Sequence, residues 1–431
     1  MRSKYKFIFI FIMAALLLTG CMKTVDQMYR LPSRSPEFTE LQRAIDTAMD
    51  EMAYCAPESG GNQQAVQMAD LNGDGAGEYL VFAKADTESP LRVLIFMQQS
   101  DSFVLAETIT CNGTSFDMLE YAHMDGRSGV ELVIGSQLSQ SLQRNVEVYT
   151  FDDSLSAHQL LSVGYSDYLI VDMDTDRVSE LFVLRDGGKA TDKGIVQLYK
   201  MGSDEMVASN EATLSVPASK LRRISAGNVE GYVPAVYASS SVEDGSMLTD
   251  IYLFKNGRLR NITLSADSGT SIRTLRNDDL FAVDMDNDGI FELPYILPMM
   301  PMDNMVSAGK QELIRWYAMT SDGEEVAKTY TFHNFSDGWY WELDPAWAQR
   351  LTVVNGSGAY EFYIWDEAFE SSRKVLSIVS STGDNPQRNM EPGQIVLYES
   401  TELLLIAQLQ PIARSYGITK ESLTDHFHRV R

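Results

Sequence analysis

The chain has 431 residues, 44% of them apolar and 22% charged, enough to build a full globular core and too apolar for a disordered tail. Sixty acidic against thirty-five basic side chains leave a net charge of −25, which argues against nucleic acid or an anionic lipid surface as a partner. Three cysteines are too few for a disulfide scaffold.

At the N-terminus, Arg2, Lys4 and Lys6 precede an apolar run over residues 7–18, too short to span a bilayer comfortably and laid out like an export signal. Leu18-Thr19-Gly20-Cys21 follows at once and resembles the lipobox of bacterial lipoproteins. That resemblance implies removal of residues 1–20, acylation of Cys21, and a body tethered at the extracytoplasmic face of the cell membrane; a plain signal peptide with a chance cysteine is the alternative. Residues 21–38, with Pro32, Ser33, Ser35 and Pro36, read as a linker. Residues 39–64 form an N-terminal helical segment, in which Leu41, Ala44, Ile45, Ala48, Met49 and Met52 recur at spacings of three and four behind a capping Thr39.

A repeat then dominates the chain. Asp70-Leu-Asn72-Gly-Asp74-Gly-Ala76-Gly-Glu78, Asp172-Met-Asp174-Thr-Asp176-Arg-Val-Ser-Glu180 and Asp284-Met-Asp286-Asn-Asp288-Gly-Ile290-Phe-Glu292 each run into an apolar segment. His123-Met-Asp125-Gly-Arg127-Ser-Gly-Val-Glu131 is a decayed copy, and a fainter one starts at Ala226. Starts at 70, 123, 172, 226 and 284 give a near-constant step, the mark of stacked supersecondary units.

Short runs rich in β-branched and aromatic residues fill each step, at 65–69, 79–83, 91–97 and 103–109 in the first unit. Four antiparallel strands per unit predict an all-β fold, a β-propeller of six or seven four-stranded blades with a short N-terminal helix. Blades with acidic loops are expected over 65–336 and blades without them over 337–431; a five-unit body followed by a separate β domain is the alternative.

Oxygen ligands at positions 1, 3, 5 and 9 of a tight turn, with a carbonyl at position 7, suit Ca²⁺. The candidate ligands are Asp70, Asn72, Asp74, Ala76 and Glu78; Asp172, Asp174, Asp176 and Glu180; and Asp284, Asp286, Asp288, Ile290 and Glu292. Position 12 is Val81 or Tyr295 and the flanks are strands, which excludes an EF-hand. The pattern resembles the calcium loops of FG-GAP or VCBS-type repeats in integrin-like propellers, and the resemblance implies two or three structural Ca²⁺ ions. Arg177 takes the glycine position of the loop at 172, and Arg127 replaces an acid in the copy at 123, which is expected to be a metal-free turn.

Cys55 and Cys111 are a candidate disulfide. Aromatic residues near Trp339, Trp341 and Trp347 read as core or as a stacking platform, and His426 and His428 as a frayed tail. No nucleophile elbow, zinc-binding HExxH helix or phosphate loop is present, so no catalytic residue is assigned. The expectation is a monomeric, lipid-anchored binding module for a protein or glycan; a polysaccharide-active hydrolase or lyase and a structural envelope-assembly lipoprotein are the alternatives.

Overall fold

The computed structural model describes residues 36–138, 143–189, 192–299, 311–356, 359–368, 370–382 and 392–430. The expected export signal, Cys21 and the expected linker up to residue 35 lie outside them. Among the described residues no helix is long and apolar enough to cross a membrane.

The N-terminal helix spans Pro36–Met49, starting and stopping three residues earlier than the spacing suggests. Proline is tolerated in a first turn, and Asp50, at φ 40°, turns the chain out of the helix before Met52. Leu41, Ile45 and Met49 bury against Val81, Ala83, Leu94, Phe96 and Phe103 of the first sheet.

Six antiparallel sheets follow in chain order. In the first, Glu78–Lys84, Leu91–Gln99 and Ser102–Thr110 lie side by side, and the outer partner of Glu78–Lys84 is split into Ala53–Tyr54 and Val66–Ala69. The second runs Ser115–Ala122, Glu131–Gln137, Arg144–Phe151 and Ala157–Tyr165. The third runs Asp167–Val171, Glu180–Arg185, Ile195–Met201 and Met206–Ala208. The fourth runs Leu221–Val229, Val233–Ser241, Met247–Lys255 and Arg258–Asn261.

This is the expected β-propeller, with six blades among the described residues. Consecutive sheets share apolar clusters: Phe82 and Phe116 join the first two, Val148 and Val183 the next, and Phe182 and Tyr252 the third and fourth. Strands such as Glu131–Gln137 and Met247–Lys255 are buried along nearly their whole length, as strands covered on both faces must be. The remaining face of the first sheet takes the helix, so its apolar residues are sealed there by Ile45 and its neighbours rather than by water.

Residues 337–431 do not form blades of their own throughout. The fifth sheet, Leu293–Pro298, Glu312–Met319 and Glu325–Asn334, takes Trp339–Leu343 as its next strand. The segment expected to fray, Phe427–Arg429, pairs beyond that strand and stacks His428 on Tyr340 with centroids 4.8 Å apart. Three residues carry too short a pattern to announce an edge strand. The sixth sheet, from Leu351–Gly356 to Leu403–Leu409, packs on the fifth through Trp339, Trp341, Trp347 and Phe362, which places these tryptophans in the core. The faint repeat at 226 has become a tight hairpin, with Val229 opposite Val233.

Cys55 and Cys111 are free thiols. Cys55 N–H donates to Phe82 and Cys111 N–H to Leu91, on neighbouring strands, so the two cysteines flank both strands from outside. Three strand spacings put them roughly 14 Å apart, about twice the reach of a disulfide.

Candidate functional site

Each acidic loop joins the first strand of its sheet, or in the fifth sheet the bridged residue Val283, to the next strand, and all fold alike. The N–H at position 2 donates to the position 9 glutamate: Leu71 to Glu78 at 2.9 Å, Met173 to Glu180 at 2.8 Å, Met285 to Glu292 at 2.8 Å. The N–H at position 6 donates to the first aspartate, from Gly75 to Asp70 at 3.0 Å, Arg177 to Asp172 at 3.0 Å and Gly289 to Asp284 at 2.9 Å. The fifth residue accepts from position 7: Ala76 N–H to Asp74 at 2.7 Å, Val178 N–H to Asp176 at 2.8 Å and Ile290 N–H to Asp288 at 2.8 Å.

Positions 4 and 6 are both left-handed. Gly73 and Gly75 adopt φ 74° and 87°, Asn287 and Gly289 60° and 86°, and Thr175 and Arg177 64° and 71°. The strain expected at Arg177 is therefore present, and Thr175 adds a second, since a β-branched residue is a poor occupant of this region.

Among the described residues, the acids that bring one ligand oxygen each within 4.8 Å of one another are Asp172, Asp174, Asp176 and Glu180, and Asp284, Asp286 and Glu292. Asp288 stays outside the second group because Lys328 Nζ lies 2.8 Å from its Oδ2 and 2.8 Å from Glu230 Oε1. The first loop has Asn72 where the others have an aspartate, and Asp70, Asp74 and Glu78 do not converge as closely.

Burial of the position 9 carboxylates raises their pKa values. Glu78 and Glu180 are pushed up mainly by desolvation against the N–H bonds they accept. Glu292 is pushed up to about 7 by burial, with Asp286 and Asp288 adding repulsion. Its Oε1 and Asp284 Oδ1 are both buried without a hydrogen-bond partner. Two unpaired carboxylate oxygens beside Asp286 are the donor set a hard divalent cation takes.

The copy at 123 is neutralised from within. Glu131 accepts from Met124 N–H at 2.5 Å, Arg127 Nε lies 3.5 Å from Asp125, and Thr150 Oγ1 lies 2.9 Å from Asp125 Oδ2 and 3.1 Å from Glu131 Oε1.

At the opposite strand ends, the second, third and fourth sheets border an open cavity of about 780 Å³, lined among others by Arg144, Asn145, Tyr165, Asp167, Arg185 and Ser219. Sequence spacing gave no hint of it, because its walls come from strand ends far apart in the chain. Tyr165 donates to Asp117 at 2.5 Å, and Arg144 pairs with the same carboxylate at 3.1 Å. Burial, then the charge of Asp167, raises the pKa of nearby Glu120, whose Oε2 is buried without a partner.

No family model and no curated protein matches this chain. Among solved structures it is similar to a Lactobacillus plantarum protein, at 9% identity over 74% of this chain and 85% of that one, with a TM-score of 0.29. It is similar to Saccharomyces cerevisiae Sqt1 at 12% identity over 71% and 82%, TM-score 0.33, and to Chaetomium thermophilum Sqt1 at 10% identity over 78% and 93%, TM-score 0.31. Likenesses this faint carry no functional argument, and the assignment of the fold rests on the sheet order itself.

Proposed function

We propose that the chain is a lipid-anchored, extracytoplasmic β-propeller whose acidic loops hold structural Ca²⁺ and whose opposite face binds a protein or glycan. The observation that carries the metal half is the pair of buried, unpartnered oxygens on Glu292 and Asp284 beside Asp286. Leaving them bare costs about 1–3 kcal/mol each, and a bound divalent ion removes that cost. The likeness of these loops to FG-GAP and VCBS calcium loops supports the same ion. An ion wrapped by one loop keeps few open positions for activating water, so its role is to stiffen the blade.

The anchor rests on the sequence around Cys21. The binding half rests on the cavity, whose mixture of arginine, tyrosine, amide and carboxylate groups suits a hydroxyl-rich or peptide ligand. A second reading, a polysaccharide-active enzyme, draws on Asp167 at the cavity and on Glu120 behind it, a half-buried acid whose pKa is raised by burial and by Asp167.

Elemental analysis of purified protein dialysed against Ca²⁺ tests the metal half, and finding no bound ion would sink it. A glycan and peptide array, repeated with Tyr165→Ala, tests the cavity; turnover of an arrayed glycan, abolished in Glu120→Gln, would favour the enzyme. Loss of membrane association in Cys21→Ser tests the anchor.

A further inference from the structure

One strand position faces the position 9 glutamate of every loop. The registered pairs Tyr79↔Phe96, Leu132↔Tyr149, Leu181↔Tyr199 and Leu293↔Tyr317 are equivalent in the four sheets that carry these loops. One residue further along stand Met97, Thr150, Lys200 and Ala318, each opposite the glutamate that closes its loop.

In the third sheet that residue enters the loop. Lys200 Nζ contacts Asp174 Oδ2, lies 3.0 Å from the buried Glu180 Oε1, which it meets as an ion pair outside hydrogen-bond geometry, and 3.5 Å from Asp176 Oδ2, and stands 5.7 Å from the ring centre of Phe254. Its ammonium thus meets three of the four carboxylates that a cation would bridge. Thr150 does the lesser job that two aspartates fewer require. Met97 and Ala318 bring neither charge nor donor, and among the described residues no lysine or arginine pairs with Asp70, Asp74 or Glu78. Lys328, which reaches the loop at 284 from another strand, meets only Asp288 and leaves Glu292 Oε1 and Asp284 Oδ1 unpaired.

We infer that Lys200 is the resident cation of the loop at 172, which therefore takes no metal, and that the residue opposite the closing glutamate decides which loops bind Ca²⁺. This rests on the calcium reading above and narrows it to two ions, at the loops beginning at Asp70 and Asp284. An ammonium and a divalent ion cannot share three carboxylates a few ångströms apart, because their mutual repulsion adds to the cost of desolvating both.

The test is a count of bound Ca²⁺ on purified protein by equilibrium dialysis and elemental analysis, for wild type, Lys200→Met and Met97→Lys. Two, three and one ions respectively are expected. Three ions in wild type, or two in a folded Lys200→Met, overturns the inference. Should Lys200→Met fail to fold, Met97→Lys decides: one ion supports the rule and two overturns it. No ion in wild type but one in Lys200→Met refutes the two-ion reading while upholding the lysine; no ion in either variant refutes both.

Discussion

Replacing Glu292 by glutamine separates the charge of the loop at 284 from its shape. In chelator, wild type buries Glu292 Oε1 and Asp284 Oδ1 without partners. Glutamine keeps the acceptor for Met285 N–H, which lies 2.8 Å from the carboxylate, and can turn its amide toward the bare aspartate oxygen. The variant should gain about 1–3 kcal/mol in chelator from pairing one buried group. With Ca²⁺ at a thousand times its dissociation constant each occupied site contributes about 4 kcal/mol to wild type, and the variant forfeits one such contribution. For 431 residues, roughly 2.1 cal/mol/K of unfolding entropy per residue makes 1 kcal/mol worth about 1 °C. Scanning calorimetry should therefore show the variant melting about 1–3 °C above wild type in chelator, with its calcium-induced rise cut from about 9 °C to half that. A lower melting point in chelator, or an unchanged calcium response, would refute the argument that these oxygens await a cation.

Thr175→Asn copies Asn287, which holds the same left-handed position at φ 60°, and should stabilise by about 1 kcal/mol in urea titrations; a loss would mean the threonine hydroxyl outweighs the strain. Alkylation of the protein in denaturant without reductant should label both Cys55 and Cys111, whereas the native fold should shield Cys111, which is buried and whose thiol pKa is pushed up by that burial. His333 stacks between Phe335 and Tyr340, its Nδ1 is buried without a partner, and burial pushes its pKa down to about 4. The unfolded chain takes that proton below about pH 6.5 and the native state only near 4, so stability should be full above 6.5 and fall with pH by at most about 3 kcal/mol. His333→Phe should flatten that window, and an unaltered profile would clear His333 of the effect.

The propeller was legible because its signals are local. Alternation and turn residues mark each strand, and recurrence of Asp, Asp and Glu at fixed offsets marks each unit. Burial of Leu41, Ile45 and Met49 follows from their spacing alone. What stayed hidden depends on who faces whom. The sequence holds Phe96-Met97, Tyr149-Thr150, Tyr199-Lys200 and Tyr317-Ala318, an aromatic residue followed by the one that answers the glutamate, but only strand register reveals the second as a neighbour. By its acids the loop at 172 matches that at 284, and only Arg177 at the glycine position sets it apart from the loops at 70 and 284. The structure gathers more acids at 172 and also places Lys200 among them, a neighbour that the residues of the loop itself do not announce. The cysteine pair misleads because two cysteines flanking a sheet lie near in sequence order yet have two strands between them.

The placement of the lysine bears on the cavity. The hairpin that carries the loop at 172 at one end presents Asp167 and Arg185 to the cavity at the other, since Asp167 pairs with Leu184 and Val171 with Glu180 along the same two strands. The second sheet, which supplies Arg144, Asn145 and Tyr165, carries the loop closed by Thr150. Both hairpins behind the cavity thus keep their register without an exchangeable ion, while the loops left to Ca²⁺ belong to the first and fifth sheets. A tethered ammonium cannot dissociate when calcium falls, so the geometry of the cavity is held by the chain itself and only the flanking blades answer to the ion. On this reading chelation lowers the melting temperature yet leaves ligand affinity at the cavity unchanged until the fold itself gives way.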